Sequence, residues 1–411
     1  MGTKAIKLKN GLQVIIDSKP YFESIGVAFG VRFGSVYEKP EQAGVAHFIE
    51  HMLFKGTKNR SWIDIEKELR KITVSHNAET DFESTVFHLK IDKNNFENAI
   101  EFLSDLVKNP AFPEEQIERE RGPIINENLI SKDTPWSVAG EELLKVMLKN
   151  HPAGRPIIGF EKTIRRIDRK ILIENYKKFY TPQNSVLTVY GGVKSSDGIK
   201  CIRKYFNEFE GKMPDTKIKP VDDTAVGRSI KLYRPELKEG IFLMGLKTPP
   251  VSRTYESLNK DEVTPLVACK LLSNRLYDFV RGKLGLAYEV NASIYQYKMF
   301  SLMFVNAGAM PNEIDKVKAA IFEEIRMMHA LSEREADIES VKQSMIADFK
   351  LMQEDSISSA IRAAHVYLVR RIHDASGYEN ALKAVKFNDL KRFLKKYLDV
   401  KRCTTIEMLP K

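Results

Sequence analysis

Two histidines and a glutamate lie close together in the sequence, at a spacing from which a helix could bind a metal. In the segment His47-Phe48-Ile49-Glu50-His51, a rotation of about 100° per residue places His47, Glu50 and His51 on one side of a helix. The apolar residues of this region fall on the opposite side, where they can pack: Val45, Phe48, Ile49, Met52 and Leu53. Histidines four residues apart can bind one Zn²⁺, and a carboxylate one turn away can take a proton from a water molecule beside the metal. The spacing therefore indicates metal-dependent hydrolysis, and the plainer alternative is a pair of surface histidines.

The residues on either side of this segment favour a short helix. Gly44 precedes it and Lys55-Gly56-Thr57 follows it, so a cation and a glycine stand at its C-terminal end. A surface pair of histidines would not need so distinct an apolar face. Both features favour the metal interpretation.

A catalytic zinc usually has three protein ligands, so a third donor must come from elsewhere in the chain. The acidic segment 114–129 offers candidates, because Glu120 and Glu127 are seven residues apart and share one face of a helix. Acidic helix faces are also commonly solvated. This segment alone leaves both interpretations open.

The composition is that of an ordinary globular protein. At 411 residues the chain exceeds what one hydrophobic core usually supports, so we expect two or more domains. The net charge is +10, but basic and acidic residues are interleaved, as in Glu66-Lys67-Glu68-Leu69-Arg70. A mixed-charge, solvated surface therefore explains the charge better than a nucleic-acid partner. No segment approaches the ~20 apolar residues of a membrane span, so we expect no membrane partner either.

Cysteine usage and the N-terminus favour a cytoplasmic location. Cys201, Cys269 and Cys403 are widely spaced and odd in number, which favours neither a disulfide framework nor a zinc ribbon. Residues 5–16 read as a hairpin around Lys9-Asn10-Gly11, and not as a secretory signal or a transit peptide.

The two halves of the chain repeat one sequence of elements. In the first half we predict strands at 24–31, 82–91 and 185–190, and helices at 43–54, 95–108, 114–130, 138–149 and 169–179. In the second half we predict strands at 240–246, 290–296, 300–307 and 404–408, and helices at 265–280, 313–331, 335–352, 356–371 and 388–398. The repetition predicts duplication of one α+β unit, with a mainly antiparallel sheet covered by helices in each domain.

The domain boundaries follow from a polar, proline-containing stretch. We predict a zinc-binding N-terminal domain at 1–212, a linker at 213–227 and a homologous C-terminal domain at 228–411. In the second domain, the helix segment 266–272 occupies the position equivalent to the histidine helix. Cys269 is its only residue of a type that binds metals. We therefore expect a metal in the first domain alone.

The combined spacing resembles the zinc peptidases that carry an inverted His-x-x-Glu-His motif, the family of pitrilysin, insulin-degrading enzyme and the mitochondrial processing peptidase. Glu127 follows His51 by 76 positions, as the ligands of that family do. Further matching segments are Gly34-Ser35 with Glu38, Gly44 through His51, Asn77-Ala78-x-Thr80-x-x-Glu83-x-Thr85, His151-Pro152-x-Gly154-Arg155-Pro156 and Tyr180-Thr181-Pro182-x-Asn184. The resemblance covers nearly the whole chain, and the chain most resembles a short two-domain processing peptidase of prokaryotic type.

This resemblance implies a zinc metalloendopeptidase with one Zn²⁺ per chain. It implies that His47, His51 and Glu127 bind zinc, that Glu50 is the general base, and that the Glu120 carboxylate orients a ligand. The substrate would be an unfolded peptide or a short extended segment, enclosed in a chamber between the domains. It would pair with a strand edge near Asn77, Ala78 and Thr80.

In the second half, the segment Arg281-Gly282-Lys283-Leu284-Gly285-Leu286-Ala287-Tyr288 resembles the family's segment in which an Arg and a Tyr face the zinc. By resemblance, Arg281 would anchor a peptide carbonyl and Tyr288 would donate a hydrogen bond to the oxyanion. Without the resemblance, a helix-to-strand turn with Gly285 as its cap is the plainer interpretation.

The resemblance also predicts the assembly, and it leaves alternatives. Two such units per chain imply that a homodimer completes the chamber, and a heterodimer is the alternative because some relatives divide the site between subunits. A non-catalytic scaffold subunit is a further alternative, but that interpretation predicts a broken motif and here all four motif residues are present.

Two segments depart from the family pattern. Residues 72–76 stand where the family usually has glycines, which affects the path of the strand before Asn77. Gly122-Pro123 interrupts the acidic segment and predicts a kink, because proline removes an internal hydrogen bond of a helix. Glu127 follows this point and should still face the metal, whereas the orientation of Glu120 depends on the kink.

Overall fold

We describe the protein from a computed structural model, for residues 2–216, 218–221, 227–251, 258–373 and 377–410. The strands are β1 (Thr3–Lys7), β2 (Gln13–Ser18), β3 (Ser24–Val31), β4 (Thr73–Thr80), β5 (Thr85–Asp92), β6 (Ser185–Gly191), β7 (Arg228–Tyr233), β8 (Gly240–Thr248), β9 (Glu289–Gln296), β10 (Ser301–Ala309) and β11 (Thr404–Leu409). The α-helices are α1 (Val45–Leu53), α2 (Trp62–Ile72), α3 (Phe96–Lys108), α4 (Glu114–Asp133), α5 (Pro135–Met147), α6 (Glu161–Ile164), α7 (Arg169–Phe179), α8 (Ser195–Phe206), α9 (Lys260–Leu276), α10 (Ile314–Ala330), α11 (Glu333–Ala336), α12 (Ile338–Met352), α13 (Ser356–Arg370), α14 (Gly377–Ala384) and α15 (Phe387–Tyr397). A π-helical turn, Tyr277–Lys283, continues α9.

The first compact unit comprises Met1–Ile130, Arg155–Ile218 and Lys350–Asp374. Its sheet has the strand order β1-β2-β6-β3-β5-β4. Strands β2 and β6 run parallel, and every other neighbouring pair is antiparallel. Strand β4 is therefore an edge strand, with β5 on one side.

Alternate residues of the first sheet pack into two separate hydrophobic cores, one on each face. In β3, Val27 and Phe29 belong to the core that contains α1 and α3, whereas Ala28 belongs to the core that contains α13. The predicted apolar face of α1 lies in the first of these cores and is fully buried. Gly26 permits the close approach of α13, because a Cβ at Gly26 would lie 2.2 Å from the Ser356 carbonyl oxygen.

The second compact unit comprises Ser131–Gly154, Lys219–Phe349 and Ala375–Lys411. Its sheet has the strand order β7-β11-β8-β10-β9, with β7 and β11 parallel and all other pairs antiparallel. Helix α5 packs on β8 and β11. Gly245 in β8 permits this, because a Cβ there would lie 2.3 Å from the Met147 sulfur.

The two sheets have the same topology once β1 is set aside. The first sheet has the order β2-β6-β3-β5-β4 and the second has the order β7-β11-β8-β10-β9. In each sheet the first and the last of the five strands along the chain are neighbours and run parallel. The helices repeat as well, since α13 packs on β3 and β6 and α5 packs on the equivalent strands β8 and β11. The predicted fold class, two α+β units with mainly antiparallel sheets covered by helices, is confirmed.

The predicted boundaries at 1–212, 213–227 and 228–411 separate the two sheets along the chain. The compact units do not follow these boundaries throughout, because residues 131–154 pack in the second unit and residues 350–374 pack in the first. Residues 217 and 222–226 of the predicted linker lie outside the described residues. Within the described part of the chain, no helix combines the length and the apolar character needed to cross a bilayer.

Candidate active site

The start of α1 is fixed by two residues that precede it. Gly44 has φ +95°, and a Cβ there would lie 2.3 Å from the Ile158 carbonyl oxygen, so glycine is required on both grounds. The Glu38 carboxylate accepts hydrogen bonds from the backbone N–H groups of Gly44 at 2.9 Å and Ala46 at 2.8 Å. Burial raises the pKa of Glu38 to about 8, although both hydrogen bonds and Arg155 oppose the shift. Together these contacts set the direction in which the polar face of α1 points.

Helix α4 brings a carboxylate to that polar face. It runs from Glu114 to Asp133 with Pro123 in its interior, in agreement with the helix predicted at 114–130, and the predicted kink at Gly122-Pro123 stays a prediction. The Glu127 Oε2 atom lies 3.5 Å from the Nε2 atoms of both His47 and His51. Among the described residues, these three side chains are the one group of three or more His, Cys, Asp or Glu whose ligand atoms could share a metal.

The donor set fits a tetrahedral zinc ion. Zinc bonds to nitrogen and oxygen of about 2.0–2.2 Å place two tetrahedral ligand atoms roughly 3.4 Å apart. The observed 3.5 Å from the Glu127 oxygen to each imidazole nitrogen agrees with that spacing. Two neutral imidazoles and one carboxylate are also a usual ligand set of a catalytic zinc.

The second nitrogen of His51 is held by Glu120. Nδ1 of His51 lies 2.9 Å from Glu120 Oε1, and the other oxygen of Glu120 lies 2.9 Å from Lys55 Nζ. Burial opposes protonation of His51, but the bonds to Glu120 and Glu127 outweigh it and raise the pKa of His51 to about 9. A metal at Nε2 would displace one proton, and the remaining Nδ1–H would stay on Glu120 and fix the tautomer.

Lys55 is the residue of this group to which the sequence pattern gives no role. Lys55 lies in the turn that follows α1, and its position four residues after His51, close to the acidic segment's expected meeting point with this helix, is the signal that could have identified it. Because Lys55 pairs with Glu120, it holds the carboxylate that in turn holds His51.

His47 is slightly more buried than His51, and its burial favours the neutral imidazole. Burial lowers the pKa of His47 to about 4, and the neighbouring His51 contributes to the shift. Its ring centroid lies 4.6 Å from that of His51, and the two ring planes meet at 68°. The imidazole is therefore in the form that binds a metal.

Glu50 lies on the same face of α1, and its carboxylate is anchored by one hydrogen bond. The Thr80 hydroxyl donates to Glu50 Oε2 at 2.5 Å. Burial raises the pKa of Glu50, and the Thr80 hydrogen bond opposes that shift. A cleft of about 420 Å³ is lined by Glu50, the two histidines, Glu120 and Glu127, together with residues of α2 and β4.

The three predicted peptide-binding residues lie on β4, beside this cleft. Asn77 and Ala78 line it, and Ala78 is buried against the core that contains α1. Thr80 directs its hydroxyl at Glu50. The segment before Asn77 that lacks the family's glycines forms a regular strand with one bulge, between Thr73 and Ser75.

Arg281 and Tyr288 belong to the second unit. Arg281 lies in the π-helical turn, and its guanidinium carbon is 4.9 Å from the Tyr277 ring centroid and 5.1 Å from that of Tyr288. The Tyr288 residue is 84% exposed. The predicted role of this pair toward the metal stays a prediction.

Comparison with known proteins assigns the chain to a family. Residues 13–161 match the family model described as insulinase, peptidase family M16, and residues 166–345 match the model described as the peptidase M16 inactive domain. The chain therefore belongs to the M16 family of peptidases.

Relatives named zinc proteases agree with this assignment, and solved structures share the fold. An uncharacterized zinc protease of Rickettsia bellii is 29% identical over 352 residues, covering 85% of this chain and 83% of that protein. The uncharacterized zinc protease YmxG of Bacillus subtilis is 27% identical over 363 residues, covering 87% and 86%. The crystal structure of a protease from Helicobacter pylori matches with a TM-score of 0.89 at 23% identity and covers 99% of both chains. A putative M16-like peptidase from Alicyclobacillus acidocaldarius matches with a TM-score of 0.85 at 20% identity, covering 100% of this chain and 98% of that one.

Proposed function

We propose that this chain is a zinc-dependent endopeptidase that cleaves unfolded peptides or short extended segments. The observation that carries the proposal is the convergence of His47, His51 and Glu127 beside the Glu50 carboxylate. The first matched family model and the relatives named zinc proteases support the same chemistry.

The proposed reaction divides between the metal and the chain. Zinc held by His47, His51 and Glu127 would supply a Lewis acid that polarises the scissile carbonyl and makes a nearby water molecule more acidic. Glu50 accepts the proton of the attacking water and delivers it to the leaving amine. Glu120, held by Lys55, keeps His51 oriented with Nε2 toward the ligand cluster.

The free edge of β4 supports the binding of an extended peptide. The Asp81 N–H donates to the Ser84 carbonyl at 2.8 Å, which makes Thr80 and Thr85 a pair without mutual backbone hydrogen bonds. Hydrogen-bonded and non-hydrogen-bonded residue pairs alternate along an antiparallel ladder. The Ala78–Phe87 pair is two residues from Thr80–Thr85 and is therefore also non-hydrogen-bonded, so the N–H and C=O of Ala78 point away from β5. An added strand could therefore pair with Ala78 through its backbone and accept many sequences.

A proline at position 78 tests this pairing. Proline is tolerated on an edge strand where the N–H points outward, so Ala78→Pro should remove one donor to the peptide and leave the β4–β5 ladder intact. We expect KM to rise about 3–10-fold with little change in kcat, the effect of one hydrogen bond. Zinc content and melting temperature are measured alongside. An unchanged KM in a folded, zinc-containing variant would contradict pairing at Ala78.

The proposed activity is tested directly with purified protein and a quenched fluorescent peptide. We expect about one zinc atom per chain, cleavage that stops when a chelator removes the zinc, and recovery when zinc is returned. Sequencing the products distinguishes internal cleavage from trimming at the ends. Zinc binding without any cleavage would support the alternative of a non-catalytic scaffold subunit.

Further features are proposed from the resemblance to the family. Arg281 anchors a peptide carbonyl, and Tyr288 donates to the oxyanion. The two halves of the chain enclose the peptide. A homodimer completes the enclosure, with a heterodimer as the alternative that native mass measurement would reveal. The widely spaced cysteines, and not the resemblance, support one more proposal, that the protein works in the cytoplasm.

A further inference from the structure

The side chain of Thr80 forms a hydrogen bond with Glu50, the proposed general base. Its hydroxyl oxygen lies 2.5 Å from Glu50 Oε2 and 3.2 Å from the Thr85 hydroxyl. The Thr85 hydroxyl donates to the buried Phe33 carbonyl at 2.8 Å. A hydroxyl has one proton to donate, so Thr85 has used its own and Thr80 gives its proton to Glu50.

This arrangement divides the two oxygens of the Glu50 carboxylate between two tasks. Oε2 is occupied by Thr80, and within the described part of the chain Oε1 has no hydrogen-bond partner. The last torsion of a glutamate side chain has a broad range, so one short hydrogen bond restricts the plane of the carboxylate strongly. Thr80 is itself stiff, because it is β-branched and lies on a strand that pairs with β5.

We propose that Thr80 is a positioning residue for the general base. It holds one oxygen of Glu50 so that the other faces the attacking water in the cleft. This inference rests on the proposed peptidase function. It gives the Thr80 side chain a role of its own beside the predicted backbone pairing of the peptide with this strand edge, since the hydroxyl points to Glu50.

A purely structural role for Thr80 makes different predictions. If the hydroxyl only stabilised the fold, its loss would lower the melting temperature and reduce kcat in proportion to the unfolded fraction. If it bound the peptide, its loss would raise KM. A positioning role lowers kcat in a folded protein that still contains zinc and still binds peptide.

Three variants separate these roles. Thr80→Val keeps the shape and removes the hydroxyl, Thr80→Ser keeps the hydroxyl, and Thr73→Val is the matched control on the same strand. The Thr73 hydroxyl donates to the Leu69 carbonyl at 2.7 Å and lies 3.2 Å from His76 Nδ1, so its loss removes a threonine hydroxyl from the same strand without touching Glu50.

We expect Thr80→Val to lower kcat roughly 10–100-fold, the effect of a misplaced catalytic group, with KM within about threefold of wild type. Zinc content should stay near one atom per chain. Thr80→Ser should recover kcat to within about threefold, and Thr73→Val should leave it unchanged.

Several outcomes would overturn the proposal. One is a wild-type kcat in Thr80→Val, and another is an equal loss in Thr80→Ser. A third is loss of zinc from Thr80→Val in step with its activity. These results, obtained with an active wild-type enzyme, reject the role of Thr80 and leave the peptidase function standing. An inactive, zinc-loaded wild-type protein rejects both.

Discussion

Replacing Glu50 with glutamine should slow peptide cleavage by several orders of magnitude while the protein keeps its zinc. Glutamine has nearly the same shape, and its amide oxygen can still accept the hydrogen bond from Thr80. It cannot accept a proton from water or pass one to the leaving amine. We therefore expect kcat to fall by a factor of roughly 10²–10⁴, the usual contribution of general acid–base catalysis.

The measurement compares kcat and zinc content of Glu50→Gln with those of wild type. Glu97→Gln is a suitable control, because Glu97 is an exposed carboxylate of the same unit that pairs with Lys204. It should change neither quantity. Glu50→Gln protein that cleaves at the wild-type rate would rule out Glu50 as the base.

Replacing His51 with alanine should remove the metal as well as the activity. The substitution leaves two of the three ligand atoms and also takes away the partner of Glu120. The Glu120–Lys55 ion pair remains, so the fold has a means of keeping that carboxylate paired. We expect zinc to fall well below one atom per chain and cleavage to become undetectable.

A histidine elsewhere in the first unit provides the control for this experiment. His88 lies on β5, and the alanine variant should keep both zinc and activity because His88 is not part of the ligand group. Elemental analysis after dialysis against zinc-free buffer gives the zinc content. Wild-type zinc content in His51→Ala would contradict the assignment of His51 as a ligand.

The sequence predicts the parts of the site that depend on local periodicity. The polar and apolar faces of α1 follow from the positions of His47, Glu50 and His51 alone, and the structure buries the apolar face as expected. The two-turn spacing of Glu120 and Glu127 on α4 likewise places both carboxylates on the side that meets α1. Such spacings hold as long as the helix is regular.

Elements with weak local signals were not predicted from the sequence pattern. Helix α2 was missed, and β4 was expected only from the resemblance, as a strand edge near Asn77, Ala78 and Thr80; residues of both elements line the cleft, and β4 is polar because it is an exposed edge strand. A usable signal for α2 is Ser61 followed three residues later by Asp64, which form a capping box. Strand β7 and helices α8 and α14 were missed as well.

Contacts between residues distant in sequence could not be predicted from local patterns, and the meeting of Glu127 with His47 and His51 was expected from the resemblance to the family. Helix α13 packs on β3 and β6, although more than 160 residues separate it from either strand. The same holds for the bond from Thr80 to Glu50, which joins a strand to a helix. Such contacts depend on the packing of the whole unit, and no local pattern in the chain encodes them.

The central claim is that His47, His51 and Glu127 bind one zinc ion. The most direct test is an anomalous difference map from crystals of the zinc-loaded protein, with data collected on both sides of the zinc absorption edge. We expect one peak about 2.0–2.2 Å from the Nε2 atoms of His47 and His51 and from a Glu127 carboxylate oxygen. A map with no peak there, or with Glu127 out of bonding distance of the metal, would contradict the account.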